Sequence, residues 1–200
     1  MKDNQMESVS EVYRKTQETE IRIRLNLHGK GKHEISSGIP FFNHMLSLFT
    51  VHGFFDLSLE ATGDLQVDLH HTVEDVGLVL GEVFNKALGD RKRIKRYGYA
   101  VTPMDDALSA VTIDLSNRPF LVYHVPGAHL TTDTSFTTLS KEFFRAFATK
   151  GGMNLHINVL YGENEHHILE SIFKSCGRAL DQATSFDERL SDVRSTKGTL

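Results

Sequence analysis

Very little cysteine is present: a single residue, Cys176, in a chain of 200. That excludes an internal disulfide and points to a cytoplasmic protein. Also missing is any run of 18 apolar residues, so no segment reads as a membrane-spanning helix. Met1 to Ser10 is polar, has no apolar signal core, and is expected to be a disordered N-terminus. Nor is there a basic excess. Lys and Arg number 22 against 26 Asp and Glu, for a net charge of −4. This removes the electrostatic reason to expect nucleic acid or an anionic membrane as partner.

Histidine, in contrast, is abundant, with 11 residues. Four of them sit in a phrase that occurs twice. Residues 70–74 read His-His-Thr-Val-Glu and residues 166–170 read His-His-Ile-Leu-Glu. Each copy opens a stretch of helical periodicity. On a helix, Glu74 lies one turn from both His70 and His71, and Glu170 stands in the same relation to His166 and His167. Imidazole nitrogen with carboxylate oxygen suits Mn, Fe, Co, Ni or Zn. Adjacent helical histidines point about 100° apart, so they fit two ions better than one. The six groups fall short of what two ions need. His156, on the polar face of an alternating strand, and His44, early in a helix, are candidates to complete the set. Two capped helix starts with incidental histidines, or a purely structural metal, are the alternatives to a catalytic site.

The rest of the chain supports a duplication. Glu20–Leu27 alternates strictly and predicts a half-buried strand. A short strand is expected near 32–36, and a helix from Pro40 to Gly53. Two strands are expected at 54–60 and 65–69, then a helix from His71 to Leu88. The second half repeats this order. Strands are expected near 97–102, 108–115 and 120–125, followed by a variable loop over 126–134. A helix over 139–149, a strand over 153–160 and a helix from His166 to Ala183 complete it. Phe41-Phe42 and Phe143-Phe144 read as matching helix starts. The fold class is α+β: two similar halves, each a small mixed sheet with two helices on one face, helices packed between the two sheets. The halves are 11–90 and 91–185, with a C-terminal tail, 186–200, contributing to the substrate site.

These motifs resemble imidazoleglycerol-phosphate dehydratase, a family of histidine biosynthesis. The resemblance runs from Arg14 to Gly198. It includes Arg14–Thr19, Gly38-Ile39-Pro40-Phe41-Phe42-Asn43-His44-Met45-Leu46, Arg96-Tyr97-Gly98, Pro103-Met104-Asp105, Asn117-Arg118-Pro119-Phe120 and Ser195-Thr196-Lys197-Gly198. It implies two Mn²⁺ per site, held by His44, His70, His71, Glu74, His156, His166, His167 and Glu170. It also implies a 24-subunit homo-oligomer with sites at subunit interfaces. The implied reaction is dehydration of D-erythro-imidazole glycerol phosphate to imidazole acetol phosphate.

The chemistry explains why such groups are needed. The proton to be removed is not acidic, because no carbonyl sits beside it. A metal-bound imidazolate can expel hydroxide and form a diazafulvene, which makes that C–H acidic. Glu18 is the general base the resemblance offers, and a substrate contact. The other substrate-binding candidates are His52, Arg96, Arg118, Lys174, Ser195, Thr196 and Lys197, the cations serving the phosphate. Asn43, Leu48, Asp106 and Arg194 depart from the family pattern, and none is expected to touch a ligand. Two rival functions remain at this point: a two-metal hydrolase of phosphorylated small molecules, and a non-catalytic module whose metal cements an oligomer.

Overall fold

The structure, a computed structural model, describes residues 8–125 and 135–200. The expected loop at 126–134 and most of the expected disordered N-terminus lie outside the described residues. The first half comprises β1 (Val9–Lys15), β2 (Thr19–Asn26), β3 (His33–Ser36), α1 (Pro40–His52), β4 (Asp56–Gly63) and α2 (His70–Leu88). The second comprises β5 (Tyr97–Met104), β6 (Ala107–Asp114), β7 (Phe120–His124), α3 (Phe136–Gly151), β8 (Asn154–Tyr161) and α4 (Glu165–Thr184). The sheets run β1-β2-β4-β3 and β5-β6-β8-β7. In each, the last pair is parallel and the others antiparallel. The α+β class with two similar halves is therefore as expected.

Alternation decides which face of each sheet meets the helices. In β2, Ile21, Ile23 and Leu25 are buried while Arg22 and Arg24 face solvent. The stripe Val73, Val76, Leu80, Val83 and Phe84 seats α2, and Leu169, Ile172, Phe173, Cys176 and Leu180 seat α4. Phenylalanines join the halves. The Phe143 ring lies 5.4 Å from Phe42 and 5.6 Å from Phe173, and Phe49 meets Phe147 at 6.0 Å. Each fully buried ring contributes about 1.5–3 kcal/mol of transfer free energy.

Two glycines reveal the register of the duplication. A Cβ on Gly81 would stand 2.6 Å from the Phe147 carbonyl oxygen; one on Gly177 would stand 2.3 Å from that of Phe49. The glycines are 96 residues apart, like the two His-His motifs, but the carbonyls they meet are 98 apart. Thus Phe143 in α3 corresponds to Met45 in α1, and the expected match of Phe143-Phe144 with Phe41-Phe42 is corrected.

Three other expectations change. β1 begins at Val9, inside the stretch read as disordered, because it pairs along its whole length with β2. The strand expected at 54–60 is displaced to 56–63, since Phe54 adopts a positive φ of 54° at the turn after α1. Residues 65–69 form no strand. Both edges of β4 are already taken by β2 and β3. The segment instead turns, with Val67 N–H donating to the Asp64 carbonyl at 2.7 Å, and delivers the chain to α2. No helix of the described residues is long and apolar enough to cross a membrane.

Candidate active site

Both His-His pairs are set by the same local device. An Asx side chain two residues ahead accepts the first histidine's backbone N–H: Asp68 from His70 at 2.8 Å, Asn164 from His166 at 2.9 Å. The positions are again 96 apart. This leaves the imidazoles projecting from the first turns of α2 and α4.

At the start of α4 three groups converge. Nε2 of His44, from α1, lies 2.9 Å from Glu170 Oε1, and Nε2 of His166 lies 3.0 Å from the same oxygen. Ligand atoms of His44, His166 and Glu170 all fall within 4.8 Å of one another, a cluster able to hold a metal ion. Lys174 Nζ donates to Glu170 Oε2 at 2.6 Å. Burial pushes the Glu170 carboxyl up, but the Lys174 ammonium and the two imidazoles more than offset this and hold it at about 2. It is an anion at neutral pH, ready for a cation. Both histidines are exposed while Glu170 is buried, so the open side of the cluster faces outward.

At the start of α2 the pattern is similar but sparser. His70 Nε2 lies 3.2 Å from Glu74 Oε2. Arg145 of α3 reaches Glu74 Oε1 at 3.4 Å and also pairs with Glu142. Under the 98-residue correspondence, Glu142 is the counterpart of His44. Sequence reasoning missed it because the motif's own 96-residue offset does not apply to α1 and α3.

The second histidine of each pair has a carboxylate behind it. His71 Nδ1 lies 3.0 Å from Asp64 Oδ2, and His167 Nδ1 lies 2.5 Å from Asp106 Oδ1. A proton held there leaves each Nε2 lone pair for a cation. The Asp64 contact is the main reason His71 titrates above an ordinary imidazole. The His167 imidazole, with the backbone N–H groups of Glu163 and Asn164, holds Asp106 well below the usual carboxylate range. Asp106 thus touches an expected ligand, contrary to the expectation for that departure. Asn43 does not support its neighbour His44; its Oδ1 accepts from Ser37 N–H at 2.9 Å and Ser37 Oγ–H at 2.6 Å.

Not every candidate is brought in. His156 is exposed on the outer face of its sheet, beside Thr112 and Val122, with the sheet between it and the helices. Within one chain it joins neither cluster. No hydrogen bond or ion pair among the described residues links the His70–Glu74 group to the His44–His166–Glu170 group either. His52, at the end of α1, lines a separate cleft of about 690 Å³ with Tyr99 and Arg178. Burial, then the charges of Lys174 and Arg178, lower its pKa.

The cations form a second locus. Arg96, Tyr97, Arg118, Arg194, Ser195, Thr196 and Lys197 line a cleft of about 450 Å³. Arg96 is spoken for: Nε donates to Asp114 Oδ1 at 2.6 Å and Nη2 to Oδ2 at 3.0 Å. Its Nη1 donates to the Arg194 carbonyl at 2.5 Å, which fixes the tail beside the cleft. Arg118 and Lys197 are exposed there. Lys174 is not in this cleft but beside Glu170, with Nζ also 3.1 Å from Met104 Sδ.

Glu18 occupies the tip of the β1–β2 hairpin. Thr16 Oγ1 accepts from the N–H of Glu18 at 3.2 Å and of Thr19 at 3.0 Å. The Glu18 carbonyl accepts from Asp64 N–H at 3.1 Å. Its carboxylate is exposed and close enough to raise the pKa of His71. The hairpin therefore presents an unligated acid beside the α2 histidines.

Known proteins are similar to this chain along most of its length. The family model described as imidazoleglycerol-phosphate dehydratase matches residues 37–180. An imidazoleglycerol-phosphate dehydratase of Desulfosudis oleivorans is 60% identical over 98% of this chain and 100% of that protein. One of Syntrophobacter fumaroxidans is 61% identical over 94% of this chain and 96% of its own length. Among solved structures, IGPD from Pyrococcus furiosus in complex with (S)-C348 superposes with a TM-score of 0.79 at 38% identity, covering 94% of this chain and 100% of that one. The Staphylococcus aureus imidazoleglycerol-phosphate dehydratase gives 0.78 at 34% identity, covering 90% and 99%. Matched along nearly all its length, the chain belongs to the imidazoleglycerol-phosphate dehydratase family of hydro-lyases.

Proposed function

We propose that the chain dehydrates D-erythro-imidazole glycerol phosphate to imidazole acetol phosphate in histidine biosynthesis, using two divalent ions, Mn²⁺ as the family resemblance implies. The observation that carries this reading is the convergence of His44, His166 and Glu170, with Nε2 atoms 2.9 and 3.0 Å from one carboxylate oxygen. An imidazole and carboxylate donor set of this kind suits Mn²⁺. His44, His166 and Glu170 would hold one ion. His70 and Glu74 would contribute to another, with Glu142 of α3, joined to Glu74 through Arg145, a further oxygen donor. His71 and His167, each steadied by an aspartate, have Nε2 to offer. Bound ions would supply the Lewis acidity that makes the substrate's imidazole ring a better electron source.

The chain's own residues do the rest. Glu18 takes the carbon-bound proton, since it coordinates nothing and projects beside His71. Arg118 and Lys197 bind the phosphate in the cleft that Arg96 shapes from behind. The two half-sets face outward and lie apart in one chain, so a homo-oligomer of the family's 24-subunit kind would complete each site from more than one copy. The test is a coupled dehydratase assay with metal analysis on wild type and Glu18→Gln. Turnover lost with metal retained supports the reading. Full turnover in Glu18→Gln, or no conversion by Mn-loaded wild type, overturns it.

A further inference from the structure

Asp75 is a buried carboxylate that follows Glu74 directly, on the side of α2 turned to the β1–β2 hairpin. Its Oδ2 accepts from Thr19 Oγ–H at 2.5 Å and pairs with Arg14 Nη1 at 2.5 Å. Thr19 is buried and adjoins Glu18; Arg14 lies in β1 on the other limb of the hairpin. One helix side chain thus grips both strands that carry the Glu18 tip. Gly63 makes room for the approach: it pairs with Thr19 across the sheet, and a Cβ there would stand 2.0 Å from Thr72 Oγ1.

Burying a carboxylate is costly unless it is paired, so its place here calls for a reason. The duplicated fold provides an internal control. The residue 96 positions on, in α4, is Ser171, whose Oγ meets Ser109 Oγ of β6 at 2.5 Å. The second half thus joins the same helix to the same sheet with two neutral hydroxyls. The fold does not require a charge at this place. The second half's own charged tie is the Asp106–His167 contact at the β5–β6 turn. Among the described residues, a helix carboxylate gripping both strands of the hairpin occurs only in the half whose hairpin bears Glu18.

We infer that Asp75 is a positioning residue, which through Thr19 and Arg14 holds the Glu18 hairpin against the first His-His helix. The inference rests on the reading of Glu18 as the base. Asp75 itself touches neither substrate nor metal. A loose hairpin leaves substrate binding intact and misplaces the proton acceptor, so the effect belongs in kcat and not in KM.

The experiment is a cycle of Asp75→Asn, Glu18→Gln and the double variant in the Mn-loaded full-length protein. It is read by steady-state kinetics, bound metal, and hydrogen exchange of the Glu18 and Thr19 amides. Asp75→Asn should lower kcat at least tenfold, with KM and metal content within twofold and faster exchange at the hairpin tip. In the Glu18→Gln background it should cause no further loss. Asp75→Glu, which keeps the charge, should recover part of the rate. An equal loss in both backgrounds would assign Asp75 a general structural role and overturn the inference. Unchanged exchange in Asp75→Asn would overturn the clamp whatever the kinetics show. Full turnover in Glu18→Gln together with faster exchange in Asp75→Asn would instead sink the base assignment and leave the clamp standing as structure only. Should Asp75→Asn fail to fold, Arg14→Gln loosens the same grip from the exposed side and is read by the same criteria.

Discussion

His44 and Glu170 are 126 residues apart in the chain, and their side chains meet at 2.9 Å. One comes from the first half's shorter helix and the other from the second half's longer one. The contact exists because α1 packs against α4 while α2 packs against α3. Gly177, under the Phe49 carbonyl, lets α4 come that close. Substituting Gly177→Ala drives a methyl into main chain, and the expected loss is about 1–3 kcal/mol. Gly81→Ala should cost a similar amount at the α2–α3 crossing. Denaturant unfolding of the two variants measures both.

The aspartates behind the second histidines should matter to metal more than to folding. Asp64→Asn and Asp106→Asn leave every expected ligand in place but loosen an imidazole's orientation. Metal affinity should fall about 10–100-fold in each. Competition with a fluorescent chelator gives the number.

Proton binding distinguishes the histidines in the metal-free protein. His71 should titrate above about 6.5, the ordinary imidazole value, because its Nδ1–H donates to Asp64; His28 and His52 should titrate below it, chiefly through burial. The sign for stability follows. A raised folded pKa means that the His71–Asp64 pair contributes fully below about 6.5 and that the contribution is lost as pH rises through the folded value. NMR titration of the imidazole C–H resonances should show this order, and Asp64→Asn should bring His71 down towards the ordinary value.

Within the cation cleft the basic residues should divide by role. Arg118→Ala and Lys197→Ala are expected to raise KM with little change in kcat, since a phosphate held equally throughout the reaction contributes uniform binding. Arg96→Ala should lower stability by about 1–3 kcal/mol, because Asp114 and the Arg194 carbonyl lose their donor. Kinetics and thermal unfolding together make the separation.

The legible part of this protein was what repeats locally. Strict alternation exposes β2, and a 3.6-residue apolar stripe exposes α2 and α4. The two His-His phrases, identical in offset, disclosed the duplication and most of the candidate ligands. What depended on packing between distant elements was not legible. Residues 65–69 alternate as a strand does, yet no free sheet edge is left for them. Alternation puts His156 on the polar, outer face of its sheet, as the structure has it, but alternation does not say which other groups meet it there. Glu142 could be matched to His44 only once the close approaches at Gly81 and Gly177 revealed a second offset. Asp75, one letter after a motif glutamate, carries no local sign in the sequence that it is buried and paired. Its partners, Arg14 and Thr19, are 61 and 56 residues away in sequence.

The most direct measurement is the count of Mn²⁺ bound per chain at equilibrium in wild type, Glu74→Gln and Glu170→Gln. Two equivalents in wild type and about one in each variant are expected, since Glu74 and Glu170 are assigned to different ions. No tight binding by wild type, or two equivalents retained in both variants, would contradict a two-metal site built from the repeated phrase.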